Sequence, residues 1–373
     1  RSKADILGKQ EERRRYVHQP LEKKNTNYPD FSSWKSYNQV TNRLGERNPV
    51  EIDLYAPLSQ AAQDAQGAQS GQGPQVSQGA VPVYLGIDIG STSTKAALLD
   101  ENRTMLAGLY TRTAGDPIRA VQGLLEALES IEAQEGVTFD VRACATTGSG
   151  RKLIGAIIGA DGIIDEITAH ARAAVELDPA VDTIIEIGGQ DSKFTVLKDG
   201  VVVFSQMNTV CAAGTGSFIE EQAVKLGVPI RDYARRALGH PAPATSDRCT
   251  VFMERDLNNY QNEGYAVEEL LVATLFSVAD NYLSKVAMEG SIGSHVVFQG
   301  ATAKNKALVA AFEERLKRPI AVSPYCHLTG AMGAVLQTLD DQSAACATTA
   351  ASKFRGLGLS RETIAQRNDV CNA

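Results

Sequence analysis

Residues 84–100 read YLGIDIGSTSTKAALLD. Tyr84 to Ile89 is a short apolar run interrupted at Asp88, and Ala96 to Leu99 is a second one. Between them stand Gly90, Ser91, Thr92, Ser93 and Thr94, all small and mostly polar. Two apolar runs joined by such a turn predict a β-hairpin. Glycine lets a backbone approach an anion closely, and hydroxyls add donors beside the amides. Lys95 closes the turn with a positive charge. Asp88, at the end of the first strand, is a carboxylate of the kind that holds Mg²⁺ or a water bound to it. Neither GxxxxGK[ST] nor a full GxGxxG occurs in the chain, so this is no Walker loop. Taken alone, the residues leave two readings open: a phosphate-binding hairpin and an ordinary polar turn.

The chain has 373 residues, enough for one two-lobed domain or two small ones, and 43% are hydrophobic, so a sizeable core is expected. A net charge of −7 gives no general reason to expect nucleic-acid binding. No apolar run reaches membrane-spanning length and no secretory signal opens the chain. Six cysteines are scattered singly, which points to a reducing, cytoplasmic compartment. The first residue is Arg1, so a fragment of a longer protein is expected.

Residues 1–58 carry 11 Lys and Arg against 8 Asp and Glu, with poor periodicity, and read as a polar basic arm, poorly ordered. From Gln60 to Gln78 a glutamine recurs every third residue among Ala, Gly and Ser, so 59–80 reads as a flexible linker. From 81 onward strands and helices alternate. After the hairpin, a third strand is expected over Thr104–Thr111. Helical spacing runs through Ile118, Val121, Leu124, Leu125, Leu128 and Ile131. A strand over Val141–Thr146 leads into a helix from Arg151, and a further helix is expected over Ile163–Leu177. Then the pattern restarts. Thr183–Ile187 is a buried-type strand ending in Gly188, Gly189, Gln190 and Asp191. Phe194–Leu197 returns, and Val201–Phe204 follows. Two similar α/β lobes, each opening with a polar glycine hairpin, would grip a nucleotide phosphate tail in a cleft.

DIGSTSTK at 88–95, EIGGQD at 186–191 and FQGATAKN at 298–305 resemble the phosphate-1, phosphate-2 and adenosine motifs of the actin, Hsp70 and sugar-kinase superfamily. Within it, VCAAGTGSFIEEQA at 210–223 and RCTVFMERD at 248–256 resemble the ATP-dependent activators of 2-hydroxyacyl-CoA dehydratases, relatives of the benzoyl-CoA reductase ATPase subunits. The resemblance covers about 81–340. It implies a two-lobed actin-like ATPase with ribonuclease H-like lobes: lobe I over 81–180, lobe II over 181–326 and a closing helix over 327–340 packing on lobe I. The tail 341–373 would begin a downstream domain, because SKFRGL at 352–357 precedes a cysteine-rich domain in large members of the family.

Cys211 precedes a small glycine turn and a helix, and Cys249 heads another helix. A helix N-terminus stabilises thiolates and the net negative charge of an iron–sulfur cluster. Spacing alone favours two incidental thiols, because there is no CxxC. The resemblance implies instead that Cys211 and Cys249 are metal ligands, two from each protomer of a C₂ homodimer, completing the four sulfurs of a shared [4Fe–4S] cluster. It further implies ATP or ADP with Mg²⁺ as cofactors. Asp88, Gln190 and Asp191 would act catalytically, Gln190 by positioning water. Gly90, Ser91, Thr92, Ser93, Thr94, Lys95, Gly188, Gly189, Gly214, Thr215, Gly216, Gly300, Ala301 and Lys304 would bind the nucleotide. The partners implied are an iron–sulfur dehydratase or reductase as electron acceptor and a ferredoxin- or flavodoxin-type donor, with no nucleic acid and no membrane. The alternative function is a small-molecule kinase of the N-acetylhexosamine type, which needs no cluster. Cys144 reads as core and Cys326–His327 as a turn before the last helix. Cys346 and Cys371 fall in the tail. Asp161, His170, Glu254 and Asp256 read as solvated or helix-capping.

Overall fold

The computed structural model describes residues 14–25, 27–32, 35–58, 61, 80–208, 212–287, 290–344 and 351–364. Cys211, Cys346, Cys371 and most of the expected linker lie outside the described residues. The chain divides into two compact units. The first comprises Ser32–Ala173 and Leu328–Ala373, the second Arg1–Phe31 and Ala174–His327.

The first unit is built on a seven-stranded sheet. Its strands are β1 (Lys35–Thr41), β2 (Arg47–Leu54), β3 (Ala80–Ile89), β4 (Ser93–Leu99), β5 (Met105–Arg112), β6 (Thr138–Thr147) and β7 (Gly162–Ile163), in the order β1-β2-β5-β4-β3-β6-β7. β3 pairs antiparallel with β4 and parallel with β6. It is covered on both faces, so its residues are buried almost without alternation, as in a doubly covered parallel strand. Burial of Leu85, Ile87 and Ile89 contributes about 1.5–3 kcal/mol each. On one side lies the helix Pro117–Glu135, begun by an Asp116 cap and Pro117 and ended by Gly136 in the left-handed region. The helix Thr329–Ala344 approaches β3 at backbone distance: a Cβ on Gly86 would lie 1.9 Å from the Ala331 carbonyl oxygen.

The sequence reading expected a poorly ordered arm over 1–58. The structure instead has β1 and β2 within it, extending the sheet beyond β5. Val50 and Ile52, buried at 0% and 2% exposure, alternate with polar neighbours and close the core. Part of the tail is built onto this unit. Residues 351–364 pack on this unit, with Leu359 buried and the Gln122 amide donating to the Leu359 and Glu362 carbonyls. Asp161, read as solvated or capping, holds this segment down by accepting from the Ser352 hydroxyl and the Lys353 and Cys144 amides.

The second unit has a four-stranded sheet of β8 (Thr183–Ile187), β9 (Ser192–Lys198), β10 (Val201–Met207) and β11 (Val296–Gln299), ordered β10-β9-β8-β11, with β11 parallel to β8. Its core is organised by the helix Val267–Lys285, buried nearly all round. The Tyr282 hydroxyl at its C-terminal end donates to the Lys193 carbonyl. Residues 14–25 and 27–31 belong to this unit as well. Leu21 is buried at 2% exposure, and His18 stacks on Phe276 with 3.9 Å between ring centres. No helix among the described residues is long and apolar enough to cross a membrane.

Candidate functional site

In the first unit the turn between β3 and β4 is closed by the Gly90 amide donating to the Ser93 carbonyl at 3.0 Å. Register sets Asp88 opposite Lys95. Their side chains pair at 3.1 Å with 11% and 15% exposure, so the ion pair is largely desolvated. Two glycines make room for the Asp88 carboxylate. Gly148, just past β6, has φ +86°, and a Cβ there would meet the Ile89 carbonyl oxygen at 2.5 Å and Asp88 Oδ1 at 2.6 Å. A Cβ on Gly330, in the first turn of the helix Thr329–Ala344, would lie 2.9 Å from Asp88 Oδ2 and 3.2 Å from His170 Nε2. His170, expected to be solvated or capping, therefore lines the same small gap, its Nδ1 3.1 Å from Thr329 Oγ1.

Not every hydroxyl of this hairpin faces outward. Thr94 is fully buried and its hydroxyl pairs with Thr113, whose own hydroxyl donates to the Gly90 carbonyl. Ser93 is also buried, whereas Ser91 is exposed. The Oγ1 atoms of Thr92 and Thr147 are enclosed and have no hydrogen-bond partner among the described residues. Thr147 sits beside Asp88 in the β3–β6 register. An unused Thr147 hydroxyl beside the Asp88–Lys95 pair, with that of Thr92 in the same turn, forms a donor set suited to a phosphate and its counter-ion.

The second unit repeats the device. Glu186 faces Lys193 across the hairpin of β8 and β9, and their side chains pair at 2.9 Å with 8% exposure each. The spacing of seven residues is that of Asp88 and Lys95. Sequence reading missed this pair, although the matching interval from acid to lysine was visible. Gly188 closes the turn by donating to the Asp191 carbonyl, leaving Gln190 and Asp191 exposed at its tip. The Ser192 hydroxyl is buried with no partner among the described residues.

Two further segments meet this turn. The amides of Gly216 and Ser217, at the start of the helix Gly216–Lys225, donate to the Gly188 and Gly189 carbonyls at 2.9 and 2.8 Å. Thr302, in the turn Ala301–Lys304, donates its hydroxyl to the Ile187 carbonyl. A Cβ on Gly216 would lie 2.8 Å from Thr302 Cγ2, and one on Gly300, φ +93°, 2.3 Å from the Ile187 carbonyl oxygen. So the structure brings together Gly188, Gly189, Gly216, Gly300 and Ala301, with Thr215 fully buried beside them in sequence. The following helix runs Lys306–Leu316 and is capped by Asn305, and Lys304 ends the turn.

Cys249 is the N-cap of the helix Thr250–Asn262, half-buried with a free thiol. The preceding loop is tied by Asn281, whose amide donates to the Asp247 and Arg248 carbonyls at 2.6 and 3.0 Å. The same Asn281 lies against the turn Ala212–Gly214: a Cβ on Gly214 would meet its Oδ1 at 2.9 Å. The chain on either side of the two cysteine positions thus converges on one buried amide. A half-exposed thiol at a helix start, on a framework shared with the segment following Cys211, fits a cluster ligand.

The remaining described cysteines are of another kind. Cys144 and Cys326 are wholly enclosed, and burial pushes both thiols up, Cys326 to about 12. Among the described residues no three His, Cys, Asp or Glu are grouped to hold a metal ion. Glu254 pairs with Lys225, and Asp256 accepts from the Ser246 amide.

One prediction follows from the first hairpin. Gly148→Ala forces a non-glycine residue into the left-handed region against backbone, costing about 1–3 kcal/mol. Thermal denaturation should show a lowered Tm. An unchanged Tm would mean that the Asp88 turn tolerates a side chain there.

The profile of the BadF/BadG/BcrA/BcrD ATPase family matches residues 85–338. The (R)-2-hydroxyglutaryl-CoA dehydratase activating ATPase of Acidaminococcus fermentans is 34% identical over 257 residues, covering 68% of this chain and 95% of that protein. An uncharacterized protein of Methanocaldococcus jannaschii is 32% identical over 261 residues, and the matched stretch spans 61% of its length. Among solved structures, the activator of the 2-hydroxyisocaproyl-CoA dehydratase from Clostridium difficile with bound ADPNP superposes with a TM-score of 0.61 at 28% identity, covering 71% of this chain and 97% of that one.

Proposed function

The chain belongs to the BadF/BadG/BcrA/BcrD ATPase family, and from that premise we propose that it is an ATP-hydrolysing activator of an iron–sulfur 2-hydroxyacyl-CoA dehydratase or a related reductase. In this reading it works as a homodimer, fed by a ferredoxin- or flavodoxin-type donor. Cys211 and Cys249 of each protomer hold a [4Fe–4S] cluster, which when bound supplies a one-electron carrier of low potential.

The chain's own residues do the rest. Lys95 offsets phosphate charge. Thr92 and Thr147 offer their hydroxyls, and Asp88 and Asp191, each in its own hairpin, would be the carboxylates that organise Mg²⁺ and its waters. Gln190 positions the attacking water. The turns at Gly188–Gly189, Gly214–Gly216 and Gly300–Lys304 take the nucleotide's backbone contacts. Hydrolysis then acts on the helices Gly216–Lys225 and Thr250–Asn262, which follow Cys211 and Cys249 in sequence. The observation that carries the reading is the direct attachment of the first of these helices to the second hairpin. Its two leading amides are bonded to the Gly188 and Gly189 carbonyls, so a change at that turn would reach the segment following Cys211 along the chain and the loop before Cys249 through Asn281.

The test uses anaerobically purified protein, a chemical reductant and an inactive dehydratase of this class. Dehydratase activity should appear only with ATP and Mg²⁺, and a non-hydrolysable analogue should not sustain it. Activation that proceeds equally without nucleotide would contradict the proposal.

Asn281 offers a second check. Asn281→Ala removes the buried amide that joins the Asp247–Arg248 loop to the Ala212–Gly214 turn and leaves two part-buried carbonyls without their donor, costing about 1 kcal/mol. Iron content of the purified variant should fall well below wild type, while nucleotide binding persists. Full iron occupancy would show that the two segments are aligned by other contacts.

A further inference from the structure

The segment ending at Phe31 precedes the stretch matched by the family profile, yet it is built onto the turn Ala301–Lys304. The Tyr28 hydroxyl donates to the Ala303 carbonyl. The Lys304 ammonium lies over the Phe31 ring, 5.5 Å from its centre. Phe31 in turn meets Tyr28 and His327 edge-on, with ring centres 5.8 and 6.3 Å away.

The other end of the segment is pinned. The Lys24 amide donates to Glu313 Oε2 and the Asn25 side chain to the Ile320 carbonyl, both at 2.7 Å. Glu313 is fully buried and its other oxygen accepts from the Ile320 amide. The turn itself hangs from the bend that carries His327, through the Gly300 amide and the Cys326 carbonyl at 2.8 Å. Strap, turn and bend form one small assembly within the second unit.

A cation over an aromatic face is held by the ring quadrupole while keeping its remaining hydrogens for other acceptors. Lysine is otherwise a flexible point charge on a four-carbon stem. Fixing its position lowers the entropy lost when it engages a ligand.

We propose that Tyr28–Phe31 is an added part of this chain's nucleotide site: it sets the Ala301–Lys304 turn and aims Lys304, strengthening the hold on the adenosine moiety. Tyr28 and Phe31 are positioning residues, acting through the turn and through Lys304. The inference rests on reading 300–304 as the adenosine turn, and the test separates the two.

Binding of ADP and of inorganic tripolyphosphate is measured by calorimetry for the wild type, Phe31→Leu, Phe31→Tyr, Tyr28→Phe and Lys95→Ala. Phe31→Leu should weaken ADP about three- to thirty-fold through loss of the cation–π contact and leave tripolyphosphate within about twofold. Tyr28→Phe should act in the same direction by less, and Phe31→Tyr should restore wild-type affinity. Phe31 is only half-buried, so Phe31→Leu should stay close to the wild-type Tm. Tyr28→Phe leaves the buried Ala303 carbonyl without that donor, so a modest drop in Tm is expected there, and unchanged tripolyphosphate binding shows that the fold is kept. Unchanged ADP affinity in Phe31→Leu, or equal weakening of both ligands, overturns the role of the strap. If wild type binds neither ligand, or Lys95→Ala leaves both intact, the nucleotide reading itself fails.

Discussion

Asp88→Asn should lower the rate of ATP hydrolysis by about a hundredfold or more, since removing one preorganised charged group from such a site costs about 10²–10³ in kcat. The side chain is held more firmly than a surface carboxylate. It is 8% exposed, paired with Lys95 at 3.1 Å and hemmed in by the glycines at 148 and 330. Asparagine has nearly the same shape, so the turn should still form. What is lost is the negative charge that would bind Mg²⁺ or its waters. The Lys95 ammonium, at 15% side-chain exposure, also loses its neutralising partner. We therefore expect kcat to collapse while Tm falls only modestly and nucleotide affinity changes little or rises. Steady-state hydrolysis with a parallel ADP titration reads both. A kcat within about threefold of wild type would mean that Asp88 is a structural partner of Lys95 alone.

Cys249→Ser should remove the cluster and, with it, most of the tendency to dimerise. Serine preserves the cap, because its oxygen accepts at a helix start better than a thiol does, so the helix Thr250–Asn262 should be kept or slightly strengthened. Any loss then belongs to the metal and not to misfolding. Iron should drop to background, absorbance in the 400 nm region should vanish, and the dimer should loosen in sedimentation. ATP binding at the hairpins should survive. Cys144→Ser is the contrasting control: that thiol is wholly enclosed, so the change should lower stability without altering iron content.

The hairpins at 84–100 and 183–198 were legible because apolar runs around a short polar turn have few other ways to fold. Their chemistry was half legible. Asp88 and Lys95 stood out in a short motif, but Glu186 was read only as part of a buried-type strand and Lys193 was not singled out. Only the cross-strand register shows that each acid meets a lysine seven residues on. Similarly, nothing in the sequence ties Gly214 to the loop before Cys249. Their common contact, Asn281, is supplied by a helix far along the chain.

The amino-terminal region was misread for a different reason. Its charge excess and poor periodicity suggested a solvated arm, and the buried alternation of Val50 and Ile52 spans only two positions. The neighbouring strands β5 and β1 give those side chains a place to be buried. The strap ending at Phe31 was illegible for the same cause: its few aromatic residues gain meaning only from the turn they touch. Thr94 shows the converse, a residue whose type fitted the phosphate reading but whose hydroxyl is committed to Thr113.

The most direct test of the account is iron and acid-labile sulfide analysis on anaerobically purified wild-type protein, with its mass in solution measured on the same sample. Sulfur ligands shared between two copies predict about two iron and two sulfide per chain, four of each per dimer. A colourless, iron-free protein that still hydrolyses ATP, or a monomer carrying four iron per chain, would contradict it.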